Sequence, residues 1–386
     1  MFDQRNQTEP ACLVIADITG YTSYLAGVEL DHAQDIITDL MDTVVRSLRP
    51  PFRLAKFEGD AAFLYAVAEK VDGSIIQDAI ESTYFAFRKR LRNIKQATSC
   101  ECSACSEMQH LDLKFVTHHG EFVIHKMAGR SELAGRDVIL LHRLLKNTVN
   151  ERLGGHAYAL SSDACIQAMG VDPAAQGLLE HRESIDIIGD VTCWVRDLHE
   201  AWETENDRQH HEVTREAAAM VIEFDIAAPR QTVWEYWTSP GQRTKWRAAD
   251  EVREASASGR RGVGTTNHCM HGDHAIIEEI LDWRPFDSLT LSTLVPLPKA
   301  PKIVMTYGFV PGPSGGTHIE IRVAKPRPRD KAFLEQVGAE FHKNITAEVA
   351  ALRLMLEGQD GAPSAVDEPA LPASAERFLT QPVHEG

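Results

Sequence analysis

The sequence predicts an α+β protein of two folded units joined by a short polar linker, and three observations carry that reading. Over residues 11–199 apolar strand-like runs alternate with long helical repeats. Over residues 217–357 several β-rich segments precede one long amphipathic helix. Between them the run HEAWETENDRQHHEVTRE (199–216) is charged and has few apolar anchors, which reads as a linker with helical potential. A chain of 386 residues is long enough for two or three separate cores.

The first unit, 11–198, opens on the β-like run ACLVIADI (11–18) and turns through Thr19 and Gly20. A helix follows over 28–48, where Ile36, Ile37, Leu40, Val44, Val45 and Leu48 recur at three- and four-residue steps. Pro50 and Pro51 stop it. A hairpin pairs 52–57 with 61–66 around Glu58-Gly59-Asp60, and a second helix covers 74–94 with a basic C-terminal end. Strands are expected over 111–117 and 121–126, a helix over 137–150 and a closing strand over 191–198.

The second unit, 217–357, starts with a strand (218–226) and a short helix opened by Pro229. Strand-like segments follow at 262–269, 275–283, 288–294, 303–310 and 317–323. The final helix, 330–357, sets Phe333, Leu334, Val337, Phe341, Ile345, Val349, Leu352 and Met355 on one face. A long helix against a curved antiparallel sheet makes a cup that can enclose a ligand. Residues 358–386, rich in Ala, Pro, Gly, Ser and acid, read as a disordered tail, and no internal repeat is present.

Composition narrows the function. With 40 Lys+Arg against 56 Asp+Glu, a net charge of -16, the chain lacks the basic face that nucleic acid or an anionic membrane requires. Its apolar runs fall far short of the roughly 20 residues that span a bilayer. The polar start MFDQRNQTEP is no secretory signal. Seven cysteines, an odd number, suit a reducing cytoplasm better than a disulfide framework.

The strongest chemical signal is a pair of carboxylates. Asp17 ends a buried strand and is followed by the tight turn Ile18-Thr19-Gly20-Tyr21-Thr22 into a helix, which aims backbone N–H groups at an anion. Asp60 sits at the hairpin tip. Taken singly, Asp17 reads as a helix cap and Asp60 as a turn residue. Together they suit a nucleoside triphosphate carried with Mg²⁺ or Mn²⁺.

The run ADITGYT, then KFEGDAAF, THHGE and ELAGRDVILLHRL, resembles the catalytic domain of class III nucleotidyl cyclases over about residues 11–198. The resemblance implies a ferredoxin-like unit working as a homodimer with sites at the interface. It implies Asp17 and Asp60 as metal-binding carboxylates and the backbone of Ile18, Thr19, Gly20, Tyr21 and Thr22 as the triphosphate cradle. Lys56 and Glu132 would read the purine, and Arg143 would steady charge on the reacting phosphate. The implied reaction is attack of a ribose 3′-oxygen on the α-phosphate, releasing pyrophosphate. Two departures stand against rapid turnover. Ile139 occupies the position of a ribose-orienting asparagine, and Gly189-Asp190-Val191 lies where a phosphate-contacting lysine is often found.

Cys100, Cys102 and Cys105 are close enough to share a structural Zn²⁺, with His110, His118 or His119 completing the set. Uncommitted loop thiols and a redox role are the alternatives. Cys12, Cys165, Cys193 and Cys269 read as small buried hydrophobes.

The second unit's FDIAAPRQTVWEYWTSPGQRTKW and GVGTTNHCMHG, with the long last helix, resemble the START-like helix-grip superfamily (SRPBCC), which includes polyketide cyclases and lipid-transfer proteins. That implies a cavity for a hydrophobic small molecule between sheet and helix. Trp237, Trp246, His268, Met270, Met305, Tyr307, Phe341 and Ile345 are the candidates to line it, each with a plain core role as the alternative. Along NHCMHGDH, His268 and Met270 share one strand face and Cys269 and His271 the other, so the cluster converges on a metal only if the strand ends at Met270, and a pocket-facing His268 that hydrogen-bonds a ligand is the favoured reading. The expectation is a nucleotide-binding signalling protein biased by a hydrophobic ligand. The alternatives are a carrier with a non-catalytic cyclase-like scaffold, and an enzyme whose chemistry lies in the second unit.

Overall fold

The computed structural model describes residues 8–68, 72–97, 103–127, 130–154, 157–272, 274–296 and 300–357. The first unit runs β1 (Glu9–Thr19), α1 (Tyr21–Ala26), α2 (Leu30–Leu48), β2 (Arg53–Glu58), β3 (Ala61–Val67), α3 (Gly73–Ala97), α4 (Ser103–Glu107), β4 (Asp112–Met127) and β5 (Arg130–Ala134). It continues through α5 (Arg136–Leu144), α6 (Val149–Leu153), β6 (Tyr158–Ser162), α7 (Asp163–Met169), β7 (Leu179–Ile185) and β8 (Gly189–Asp197). Its sheet has the order β2-β3-β1-β4-β6-β8-β7, with β5 paired to β4. β1 is apolar from Ala11 to Ala16 because both its faces are covered there. Cys12, Val14 and Ala16 pack towards α2 and α3, whereas Ala11, Leu13 and Ile15 pack towards α5.

β4 is one long strand, not two. Gly120, expected to be a turn, lies inside it because any Cβ there would come within 2.5 Å of the Asp137 side chain. The helix expected over 137–150 is likewise two short ones, α5 and α6.

The presumed linker is largely built structure. α8 (Leu198–Asp207) inserts Trp202, 5% exposed, into the first unit's core. Beyond it Val213 is buried, and its N–H donates to Thr306 Oγ1 at 2.9 Å. The few apolar anchors are therefore decisive ones.

The second unit comprises β9 (Ala218–Ile226), α9 (Arg230–Thr238), α10 (Pro240–Arg243), β10 (Glu251–Ala255), β11 (Thr266–His271), β12 (His274–Arg284), β13 (Ser288–Leu294), β14 (Ile303–Pro311), β15 (Thr317–Ala324) and α11 (Lys331–Glu357). Its seven strands are all antiparallel, in the order β10-β11-β12-β13-β14-β15-β9. α11 packs its C-terminal half tightly through Ile345, Val349 and Leu352. In its N-terminal half Leu334, Val337 and Phe341 are only partly covered, because the helix there stands over a cavity. The fold is thus α+β in two units, with a ferredoxin-like first unit and a helix-grip second unit. The loop 256–262 docks on the start of α3, where ion pairs join the units. Among the described residues no helix is long and apolar enough to cross a membrane. The tail 358–386 lies outside the described residues.

Candidate functional site

Strand parity places the first group of site residues. Asp17 shares the β1 face of Leu13 and Ile15 and stands opposite Ala61 on β3 and Lys114 on β4. Lys114 Nζ lies 3.1 Å from Asp17 Oδ2. Asp60 is brought alongside by the β2–β3 turn, whose Asp60 carbonyl accepts the Ile18 N–H at 3.2 Å. Burial raises the Asp17 carboxyl above its usual range, and Lys114 only partly offsets it. Asp60 is raised too, first by burial and then by the charge of Asp17. The two carboxylates therefore carry more negative charge than one lysine neutralises. Such a hard-oxygen pair fits a divalent cation such as Mg²⁺ or Mn²⁺, provided water or phosphate oxygens complete the shell.

Beside them, Gly20 adopts φ 86 at the start of α1, and a Cβ there would meet the His110 carbonyl at 3.0 Å. Glycine is needed to turn the chain sharply beneath the two aspartates. The Ile18 side chain is buried in the core and its N–H is spent on the Asp60 carbonyl, so the expected phosphate donor at this position is already engaged. Tyr21 and Thr22 form the first turn of α1, next to Thr19 at the end of β1.

A second group occupies the same sheet face. Lys56 Nζ is 2.9 Å from Glu132 Oε2 and 3.0 Å from Glu58 Oε1. Glu58 also faces His142 Nε2 at 3.0 Å, while His142 Nδ1 donates to the Val138 carbonyl. Burial would raise the Glu58 carboxyl, but Lys56 and His142 outweigh it and hold it low. Arg143 is exposed on the last turn of α5, and Ile139, one turn earlier, is 57% exposed. Among the described residues no ion pair joins this group to Asp17 and Asp60. Lys114, Glu58 and His142 escaped the sequence reading. Lys114 is signalled only by the β1–β4 register.

Of the cysteine cluster, Cys100 and Cys102 lie outside the described residues, and Cys105 is half-buried on α4. His118 faces Ser162 Oγ at 2.7 Å, and His119 donates to the Ala68 carbonyl at 3.1 Å. Both histidines are thus engaged in the sheet. Among the described residues no group of three metal-binding side chains occurs. Cys12, Cys165, Cys193 and Cys269 are buried.

The second unit encloses a cavity of about 620 Å³ between the sheet and the front half of α11. Met305, Tyr307, Phe341 and Ile345 line it. Four of the expected lining residues are corrected. His268 points to solvent, since Asn267, Cys269 and His271 take the alternate face of β11. Met270 shares the His268 side. Trp237 and Trp246 do not reach the cavity. They stack on each other with ring centroids 4.9 Å apart, and Trp237 also packs on Tyr307 and Phe309 in the solid core. The cavity wall also holds charge that the sequence reading missed, in Arg247, Glu278 and Glu348.

Comparison with known proteins agrees with this division. Residues 211–357 match the family model "Polyketide cyclase / dehydrase and lipid transport". Residues 37–152 match a family described as a protein of unknown function, not a cyclase model. An uncharacterized protein of Mycobacterium tuberculosis, Rv2561/Rv2562, is 38% identical over 113 residues, which is 29% of this chain and 52% of that protein. The chain thus spans about half the length of the curated relative it matches. Among solved structures, the guanylyl cyclase Cya2 aligns with 49% of this chain and 92% of its own, at 15% identity and a TM-score of 0.38. The adenylyl cyclase CyaB from P. aeruginosa aligns with 50% and 95%, at 14% identity and a TM-score of 0.34. Protein MLL2253 from Mesorhizobium loti aligns with 34% and 95%, at 18% identity and a TM-score of 0.29.

Proposed function

We propose that this protein is a nucleotide-binding signalling protein. Its first unit binds a nucleoside triphosphate with Mg²⁺ or Mn²⁺ as a homodimer, and its second unit takes up a hydrophobic small molecule that biases the first. The observation that carries the reading is the Asp17–Asp60 pair beside Lys114, both carboxyls raised by burial and Asp60 also by the charge of Asp17. The cation would neutralise phosphate charge and polarise the reacting oxygen. Asp17 and Asp60 would hold it, Lys114 would face phosphate oxygens, and the Lys56–Glu132 pair would present a donor and an acceptor to a base. The two groups stand apart on one face, as a dimer would require if each chain supplied half of a site.

The test is incubation with ATP or GTP and Mn²⁺, with product analysis and thermal shift in parallel. Cyclic nucleotide from wild type and none from Asp60→Asn supports turnover. Absence of both product and shift overturns the reading. Ile139 favours a second reading, nucleotide binding with little turnover, because an exposed isoleucine cannot orient a ribose hydroxyl. A shift without product supports that version.

A further inference from the structure

The ligand cavity of the second unit is apolar over most of its wall, yet its inner end carries a compact charged cluster. Arg243 Nη2 donates to Glu278 Oε2 at 2.7 Å, and both side chains are almost wholly buried. Arg247 Nε donates to Glu348 Oε2 at 3.2 Å, and its Nη1 lies 3.6 Å from Glu278 Oε1. The other Glu348 oxygen accepts the Ala248 N–H at 3.2 Å. Two arginines thus meet two glutamates, and the cluster has no net charge. Two side chains at the cavity wall keep hydrogen-bonding capacity to spare, although Arg247 Nη1 stays within ion-pair range of Glu278. Among the described residues the terminal Arg247 nitrogens make no hydrogen bond, and Tyr307 Oη has only the Met305 sulfur, 3.9 Å away. A thioether is a weak acceptor.

These donors select a ligand head. An anionic head would bring an unmatched negative charge into a largely buried, already balanced site between Glu278 and Glu348, which is costly. A neutral acceptor satisfies the idle donors and leaves the balance intact. Glu340, exposed at the cavity edge, adds a further barrier to anions. We infer that the cavity binds an uncharged amphipathic molecule, an apolar body carrying a keto or hydroxyl oxygen that accepts hydrogen bonds from Arg247 and Tyr307, and that it discriminates against carboxylates of the same shape. A volume of about 620 Å³ suits a body of drug or lipid size.

This inference rests on the ligand-binding reading of the second unit, and one experiment separates the two. The full chain is loaded with the neutral dye Nile red, which is displaced at pH 8 by 2-dodecanone, 1-dodecanol or dodecanoate. Any apolar cavity disfavours the carboxylate to some degree, so the deciding quantity is the change in the ketone-to-carboxylate affinity ratio between variants. Glu348→Gln leaves the cluster with a net positive charge and is expected to shift that ratio at least tenfold towards dodecanoate. Arg247→Met is expected to weaken 2-dodecanone about tenfold. Retained dye binding shows that each variant is folded. A ratio unmoved in Glu348→Gln, or wild-type protein that prefers dodecanoate, overturns the neutral-head assignment and leaves the cavity reading intact. Failure of all three compounds to displace the dye, or of the dye to bind wild type, overturns both.

Discussion

Arg260 of the second unit reaches across to the first and places Nη2 2.7 Å from Oδ1 of Asp78, a carboxylate with no exposed surface. The same guanidinium donates to both oxygens of Glu81, at 2.9 and 2.8 Å, while Trp283 Nε1 donates to the other Asp78 oxygen at 3.1 Å. Arg261 pairs with Asp72 beside it. Arg260 is therefore the arginine that compensates Asp78, and it shares Glu81 with Arg196, whose Nε lies 3.1 Å from Glu81 Oε1. Removing it strands Asp78 and leaves Glu81 with Arg196 alone, which is the costly way to break a buried ion network. Arg260→Met is expected to lower unfolding free energy by about 3–5 kcal/mol at pH 8, read from urea denaturation. A loss below about 1 kcal/mol, the range of exposed pairs, would show that the network is weak.

The same seam predicts a pH dependence. Burial pushes the Asp78 carboxyl up to about 6, even against the opposing charge of Arg260. In the unfolded chain it titrates near 3.8. Between those values the native state holds a proton that the unfolded state has lost, so this group's contribution to stability falls as pH rises through the window. At 1.36 kcal/mol per pH unit the loss approaches about 3 kcal/mol. Glu81 opposes the trend in the whole protein. Burial would raise it, but Arg260 and Arg196 hold it low, so its share of stability fades as the solution is acidified. The Asp78 contribution is isolated by subtracting the profile of Asp78→Asn from that of wild type. The difference is expected to become less favourable to wild type between pH 4 and pH 7, and a flat difference would remove Asp78 as the titrating group.

Asp60→Asn separates binding from folding. Asp60 sits beside Asp17, and their mutual repulsion is relieved when one becomes neutral. The substitution is expected to leave the ligand-free protein unchanged or more stable by about 0.5 kcal/mol, since the site is partly open to solvent. It is also expected to abolish the thermal shift produced by Mn²⁺ and nucleotide. A variant that is destabilised and still shows the full shift would mean that Asp60 serves the hairpin turn, not a cation.

What could be read from the sequence follows the physics of each element. β1 and α11 were legible because burial imposes a strong apolar pattern on both. β7 and β10 were not, because an edge strand keeps one side in water and β7 carries Glu180, Arg182 and Glu183. Asp17 and Asp60 stood out because each ends a strand at a tight turn. Lys114 did not, because its role depends on the register between two strands nearly a hundred residues apart in the chain. His268 faces solvent although its sequence position suits the cavity equally well, since alternation fixes relative facing, not which face is inside. Arg243, Arg247, Glu278 and Glu348 form no local sequence pattern, because only the tertiary fold brings α10, its following turn, β12 and α11 together.

The exposed Ile139 offers the sharpest test of whether the first unit is held back chemically. At 57% exposure it contributes little to the core, so Ile139→Asn is expected to change stability by less than about 0.5 kcal/mol. Asparagine at this point on α5, one turn before Arg143, would add a polar group beside the exposed guanidinium. One well-placed polar group is worth about a hundredfold or more in rate in a preorganised site. Formation of cyclic nucleotide is therefore expected to rise at least tenfold in Ile139→Asn, with the affinity for nucleotide nearly unchanged. A fold-intact variant that binds nucleotide as wild type does and makes no more product would place the deficit elsewhere, with β8, which begins with Gly189-Asp190-Val191 and carries no lysine, as the next candidate.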